Sequence, residues 1–227
     1  MRATFYPMLV HPQFDPIAVS IGPVALRWYG LMYLIGFALA WAAGRYRIAR
    51  TPGGVWTAKD IDDALFYAIV GTIAGGRLGY VLFYKLADFA AEPWRVFYVW
   101  EGGMSFHGGL LGIVAASILF ARRRGLAILE VGDAIACAAA IGLFLGRLAN
   151  FINGELWGRP SDVPWAMAFP GGGPQPRHPS QLYEAGLEGV LLLLVMTWLA
   201  LRPRTPGSAG RLAGAFLIGY GIARSIA

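Results

Sequence analysis

Gly146-Arg-Leu-Ala-Asn-Phe-Ile-Asn-Gly-Glu-Leu-Trp-Gly-Arg159 closes a long apolar segment with a cluster of polar side chains. Residues 134–145 carry no charge, and the cluster that follows contains Arg147, Asn150, Asn153, Glu155 and Arg159. An ionisable side chain at the end of a membrane-length apolar run is costly unless an anion or water meets it, so it marks a candidate functional site. A helix end anchored at the lipid headgroups is the structural alternative for Arg147 alone, but anchoring does not require the neighbouring amides and glycines.

The composition of the whole chain is that of a membrane protein. Hydrophobic residues make up 57% of the sequence, charged residues only 14%, and the mean hydropathy is +0.54, whereas a soluble domain carries about 25% charged residues. Most of the apolar segments reach or approach the ~20 residues that a membrane-crossing helix needs. These segments cover residues 17–44, 61–84, 106–120, 131–149, 182–201 and 212–227.

This pattern predicts an all-α polytopic integral membrane protein, with one transmembrane domain over residues 1–227 and about six spans. The first segment is interrupted by Arg27-Trp-Tyr-Gly30, which indicates that it begins as a surface or re-entrant stretch. The last segment stops at Ala227 without a flanking anchor, so we expect a seventh span to be missing at the C-terminus.

The distribution of Lys and Arg predicts the orientation in the membrane. One alternate set of connections carries ten of these residues, and the other set, together with the N-terminus, carries five. The positive-inside rule then places the N-terminus and the loops at about 85–105 and 150–181 outside. The net charge of +6 is mostly this topology signal, so we do not expect nucleic-acid binding. The single cysteine, Cys137, excludes an internal disulfide, and its apolar surroundings make it a poor nucleophile.

Two Gly-Arg-Leu segments form a weak internal repeat. Residues 63–80 and 133–150 match at six of 18 positions, including Arg77 and Arg147, although composition bias could produce some of the matches. Because both segments cross in the same direction, we expect both arginines at the same outer depth, where they could bind one anion. Packing alone is the alternative for Arg77. Glycines 71, 75, 76 and 79 give small-xxx-small spacings that allow close helix contact.

Further polar residues fall on the predicted outer side. His107 opens the third segment among glycines, and a lone histidine is usually structural, but this placement makes it a candidate for proton transfer. Gln181, Glu184 and Glu188 share one face of the fifth segment, which we expect to look inward or at water because lipid would penalise them. No second His or Cys stands at metal-ligand spacing, so we predict no metal site and no cofactor.

Arginines among glycines and side-chain amides suit a phosphate or phosphodiester, because a guanidinium binds two of its oxygens at once. A His and a Glu at the same depth can move a proton. The residues therefore indicate an intramembrane enzyme that acts on an anionic phospholipid at the outer leaflet.

Four motifs extend this interpretation: Gly75-Gly-Arg-Leu-Gly-Tyr-Val-Leu-Phe-Tyr84, Gly102-Gly-Met-Ser-Phe-His-Gly-Gly-Leu110, the central stretch at 146–159, and Arg177-His-Pro-Ser-Gln-Leu-Tyr-Glu184. In this order they resemble the bacterial phosphatidylglycerol:prolipoprotein diacylglyceryl transferases over essentially the whole chain. The resemblance implies transfer of a diacylglyceryl group from phosphatidylglycerol to the lipobox cysteine of a preprolipoprotein signal peptide, with release of glycerol phosphate. It also implies a multi-pass protein of the bacterial inner membrane, with its active site toward the periplasm.

The resemblance implies roles for individual residues. Arg147 would bind the lipid phosphate, Arg224 in Gly219-Tyr-Gly-Ile-Ala-Arg224 would be a second essential arginine, and His107 would be the candidate general base. Positions tied to activity in the family are Tyr29, Asn150, Glu155, Gly158 and Tyr220, and Arg77 and Asn153 complete our predicted substrate-binding set. We hypothesise that Glu155 orients Arg147 or His107 and does not attack.

The sequence departs from the family pattern at two places, and one alternative function remains. Ala149 stands where the family usually has Gly, and the chain ends three residues after Arg224, where the family continues. A phospholipid or anion transporter of the inner membrane is the alternative function, because the same arginines would line a pathway and a parallel repeat is compatible with transporter architecture.

Overall fold

A computed structural model describes residues 9–22, 24–50, 54–203 and 207–227 of the chain. The longer helices are α1 (Trp28–Arg50), α2 (Ala58–Tyr84), α4 (Phe106–Arg124), α5 (Ile128–Ile152) and α8 (Arg211–Ile226). Between α2 and α4 lie a short helix, α3 (Leu86–Ala91), and two 3-10 turns, Pro93–Phe97 and Val99–Glu101. One further continuous helix consists of α6 (Ser180–Glu184), a π-helical segment (Ala185–Leu191) and α7 (Leu192–Ala200).

The protein is mostly helical, and three of the described helices are long and apolar enough to cross a membrane. They are α2, α5 and the continuous helix Ser180–Ala200. These helices support the prediction of a membrane protein. The count of six spans, the single domain and the outer N-terminus stay predictions.

Within the described residues, four short strands accompany the helices, which the all-α prediction did not include. Strands β2 (Ile17–Ile21) and β3 (Val24–Arg27) form an antiparallel hairpin, and β1 (Leu9–Val10) pairs in parallel with β4 (Met167–Ala168). Alternating β-branched residues favour an extended chain over a helix in β2. The first apolar segment therefore begins as a hairpin, and its helix starts at Trp28, inside the predicted interruption.

The chain divides into two compact units, Met1–Ala43 with Ala134–Ala227 (unit 1) and Gly44–Asp133 (unit 2). In unit 2, α2 and α4 touch through glycines, as the small-xxx-small spacing predicted. A Cβ added at Gly71 would lie 2.6 Å from the Cβ of Ala116, and one added at Gly75 would lie 2.6 Å from the Cα of Gly112. The two backbones are in contact, so neither glycine position has room for a methyl group.

Unit 1 has its core where α5, α7 and α8 meet. Ala136 and Ala140 of α5 pack against Leu192, Met196 and Leu212, all of which are buried. The small alanine side chains leave the space that Met196 fills, which brings α7 and α8 close to α5. Cys137 packs against this cluster and is partly buried.

Candidate functional site

Unit 1 holds a cluster of four charged side chains, which we call the four-charge cluster: Arg147 on α5, Glu184 at the end of α6, Glu188 in the π-helical segment and Arg224 on α8. The Nε of Arg147 lies 2.8 Å from Oε2 of Glu184, and its Nη2 lies 3.4 Å from Oε2 of Glu188. Nη1 of Arg224 contacts Oε1 of Glu184 and lies 3.4 Å from Oε1 of Glu188.

Each carboxylate thus joins both arginines. Glu184 and Glu188 both use Oε2 for Arg147 and Oε1 for Arg224. The side chain of Glu188 is fully buried, whereas that of Arg224 is half exposed. Breaking a buried ion pair by removing one partner costs about 3–5 kcal/mol, because the remaining charge stays uncompensated in a medium of low dielectric constant.

The π-helical segment fixes the position of Glu188 along α5. A Cβ added at Gly189 would lie 2.7 Å from the Cβ of Phe144, so the segment rests directly on the turn of α5 that precedes Arg147. On the other side, a Cβ at Gly219 of α8 would lie 2.7 Å from Cδ1 of Leu192. Single π-helical turns within α-helices occur frequently at functional sites.

Glu155 makes no hydrogen bond or ion pair with Arg147 among the described residues, and the hypothesis that it orients Arg147 or His107 stays a prediction. Its Oε1 accepts hydrogen bonds from the side-chain amides of Asn150 at 3.0 Å and Asn153 at 3.3 Å. Gln181, which is fully buried, donates to the main-chain oxygen of Glu155 at 2.6 Å. Glu155 therefore holds the turn after α5 together, and the carboxylates that pair with Arg147 are those of Glu184 and Glu188.

Gly158 is required by its surroundings. Its N–H donates to the carbonyl of His178 at 2.9 Å, and its own carbonyl accepts from Arg177 at 3.2 Å. An added Cβ would collide with Oγ of Ser180 and lie 3.0 Å from the Cβ of His178. Residues 158 and 178 therefore form a close backbone contact just before the helix that carries Glu184.

The two predicted tyrosines lie in the same unit but make other contacts. Tyr220 stacks on Phe216 and packs against the core of unit 1, one helical turn before Arg224. Tyr29 is partly exposed and contacts Tyr33, with ring centroids 5.5 Å apart. Within the described part of the chain, neither tyrosine donates a hydrogen bond to the four-charge cluster.

Arg77 and His107 belong to unit 2. Arg77 is buried, and its guanidinium donates to the main-chain carbonyls of Arg95, Val96, Gly102 and Gly103. The N–H of Ser105 donates to the carbonyl of Gly76 at 2.9 Å, and the Ser105 hydroxyl caps α4. His107, in the first turn of α4, is exposed. The hydrogen bonds of Arg77 and Gly76 thus fix the segment that leads to His107.

The polar face of the fifth segment is turned away from lipid, as the sequence predicted. Its pairing with two arginines was not predicted. Gln181, Glu184 and Glu188 are all buried, as expected for side chains turned away from lipid. The spacing of three and four positions was the available signal. It shows which side chains share a face, but it cannot show that Arg147 and Arg224 are the groups they meet.

The described residues form mostly helices, three of them long and apolar enough to cross a membrane, and the four-charge cluster has two buried carboxylates. These features define the class of an integral membrane protein with an internal polar site. The profile of the prolipoprotein diacylglyceryl transferase family matches residues 16–227, and the chain belongs to this family.

Close relatives carry the name phosphatidylglycerol–prolipoprotein diacylglyceryl transferase. The protein of Bordetella bronchiseptica is 55% identical over 218 residues, which cover 96% of this chain and 82% of the relative. That of Nitrosomonas europaea is 55% identical over 218 residues, covering 96% and 77%. That of Paramagnetospirillum magneticum is 54% identical over 217 residues, covering 95% and 80%.

Proposed function

We propose that this protein transfers the diacylglyceryl group of phosphatidylglycerol to the lipobox cysteine of a preprolipoprotein, which forms a thioether and releases glycerol phosphate. The observation that carries the proposal is the pair of guanidinium groups, Arg147 and Arg224, held together by two shared carboxylates. Family membership and the names of relatives at 55% identity support the same reaction.

The charge on the lipid phosphate explains why two arginines are useful. In the transfer, the cysteine sulfur forms a bond to the glyceryl carbon that bears the phosphate, and the bond from that carbon to the ester oxygen breaks. The phosphodiester carries one negative charge, and the leaving phosphomonoester gains a second unless it takes up the thiol proton. Guanidinium groups that bind the leaving oxygen gain more in the transition state than in the ground state, which is the condition for catalysis.

The attacking thiol belongs to the substrate, so this chain supplies no nucleophile, but it has to remove the proton of that thiol. A free cysteine has a pKa of about 8.5 and is mostly protonated at neutral pH. We assign the base to His107, whose exposed imidazole stands at the start of α4, on a chain segment fixed by Arg77. Tyr29, Asn150, Gly158, Tyr220 and Asn153 are proposed to shape the site for the lipid and the peptide, and Arg77 to hold the segment that leads to His107.

We further propose that the protein lies in the bacterial inner membrane, with its N-terminus and its active site on the periplasmic side. The bias of Lys and Arg between alternate connections supports this orientation. No cofactor and no nucleic acid enter the proposed reaction. Its partners are phosphatidylglycerol, the surrounding lipid and the lipobox signal peptide.

The test is mass spectrometry of a lipobox peptide incubated with the purified protein and phosphatidylglycerol. We expect a diacylglyceryl mass gain on the peptide cysteine that is lost in Arg147→Ala. The matched control is Arg202→Ala, which removes an exposed arginine stacked on Trp198 at 4.0 Å and should leave transfer intact. Movement of unmodified phosphatidylglycerol across a bilayer without a mass gain would instead establish the transporter.

A further inference from the structure

We propose that Glu184 and Glu188 are positioning residues that hold Arg147 and Arg224 together as one phosphate-binding unit. This inference rests on the proposed function, because it assigns the phosphate of phosphatidylglycerol to that unit. Neither carboxylate touches the substrate in this proposal. Their effect on the reaction passes through the two guanidinium groups.

The first argument is charge balance. Two arginines from different helices, α5 and α8, would repel each other if their guanidinium groups approached without counter-charges. Burying an unpaired charge is also costly, so each arginine would turn toward water. The two carboxylates make the four-charge cluster neutral, and they join Arg147 and Arg224 through the same two residues.

The second argument is the geometry of the contacts. The carboxylates occupy Nε and Nη2 of Arg147 and Nη1 of Arg224. Among the described residues, no further protein acceptor meets Nη1 of Arg147 or Nε and Nη2 of Arg224. One edge of each guanidinium is thus held, and the other edge remains for phosphate oxygens. An arginine already fixed loses less conformational entropy when it binds its ligand.

The third argument excludes a direct chemical role for Glu188. Its side chain has no exposed surface, and both of its oxygens face guanidinium nitrogens. Glu188 cannot reach the substrate thiol, because both of its oxygens already contact guanidinium groups and its side chain is fully buried. Glu188 also stands beside Gly189, which rests on α5 at Phe144, so its backbone is fixed. Glu188 is therefore the more rigid of the two supports.

The experiment compares Glu188→Gln and Glu184→Gln with Glu92→Gln, which alters an exposed pair with Arg95 in unit 2. Transfer to the lipobox peptide is measured as kcat and as KM for phosphatidylglycerol, and folding is checked by thermal unfolding in detergent. For Glu188→Gln we expect kcat to fall about 100-fold, as for a displaced catalytic group. We expect KM to change less than about threefold, because the cluster of the variant keeps both guanidinium groups and carries a net positive charge that attracts the lipid. Glu92→Gln should match the wild type in both constants.

Rescue by a shorter acid separates positioning from packing. Glu188→Asp keeps the negative charge, so we expect it to recover at least about tenfold of the lost kcat. Folded Glu188→Gln with wild-type kcat would overturn the inference, as would equal losses in Gln and Asp variants. If Glu188→Gln does not fold, the inference is tested with Glu184→Gln, for which kcat and KM for phosphatidylglycerol are compared with the wild type in the same way. No transfer by the wild type would instead contradict the proposed function itself, so the two failures are distinguishable.

Discussion

Two Gly-Arg-Leu segments of this protein look alike in the sequence and differ in what their arginines contact. Arg77 on α2 donates to four main-chain carbonyls of residues 95–103. Arg147 on α5 pairs with the carboxylates of Glu184 and Glu188. Carbonyl oxygens satisfy hydrogen bonds but leave the positive charge in place, whereas carboxylates neutralise it.

The difference separates two structural roles of an arginine in the same short motif. Arg77 gathers a loop onto the end of a helix, which favours the packing alternative for this residue over lipid binding. Arg147 shares its counter-ions with a second arginine, and we propose that the rest of its guanidinium binds the lipid phosphate. The motif around each arginine is the same, so the use depends on which groups the fold brings to it.

The largest expected effect is that of Arg147→Lys. A lysine keeps the charge but cannot bridge two carboxylates and bind a phosphate at the same time. We expect kcat/KM to fall about 1,000-fold, in the range seen when a transition-state donor is removed. Initial rates of peptide modification measure this loss. A lysine variant within tenfold of the wild type would mean that charge alone is sufficient, and the contrast with Arg77 would disappear.

Arg77→Gln should affect folding more than lipid binding. The shorter neutral side chain cannot donate to all four main-chain carbonyls of the 95–103 segment, which we expect to cost about 3 kcal/mol of unfolding free energy. Denaturant unfolding in detergent gives this value, and KM for phosphatidylglycerol should remain unchanged in the folded fraction. If the variant is stable and KM rises strongly instead, Arg77 binds lipid and resembles Arg147 after all.

Glycines near the two arginines offer a smaller test. Gly75→Ala would push a methyl group into the backbone of α4, because its Cβ would lie 2.6 Å from the Cα of Gly112. We expect a loss of about 2 kcal/mol from this overpacking. Gly146→Ala is the control, because a Cβ there meets no described heavy atom within 4 Å. Its stability should stay the same or rise by up to about 1 kcal/mol from helix propensity. Equal effects of the two variants would contradict the close contact of α2 with α4.

The smallest expected effect belongs to Glu155→Gln. The variant keeps an oxygen for Asn150 and Asn153 but loses the charge on their acceptor, so we expect kcat to fall only about tenfold. Arg147 has its own carboxylates and should keep its place. Steady-state kinetics with varied phosphatidylglycerol measure this effect. Full turnover would remove Glu155 from the mechanism, and a loss as large as that of Arg147→Lys would support the hypothesis that it orients this arginine.

Several features followed from the sequence because they depend on near neighbours. Helix α2 ends at Tyr84 as predicted, and the glycine spacing correctly indicated that α2 approaches another helix closely. The shared face of Gln181, Glu184 and Glu188 is a matter of helical spacing. The hairpin at residues 17–27 escaped prediction, because apolar β-branched residues suit a strand and a buried helix alike.

The sequence by itself determined that the protein has membrane-type apolar segments, where its helical segments lie and to which family it belongs. Composition, the length of hydrophobic runs and motifs can all be read along the chain. Only the tertiary structure decided which group neutralises which arginine. Glu184 and Glu188 stand about 40 positions from Arg147 and Arg224 in the chain. Pairing at such separations depends on how helices pack, and on a glycine that lets the π-helical segment touch α5. Electrostatic energy falls with distance in space, so the chain order alone could not reveal these partners.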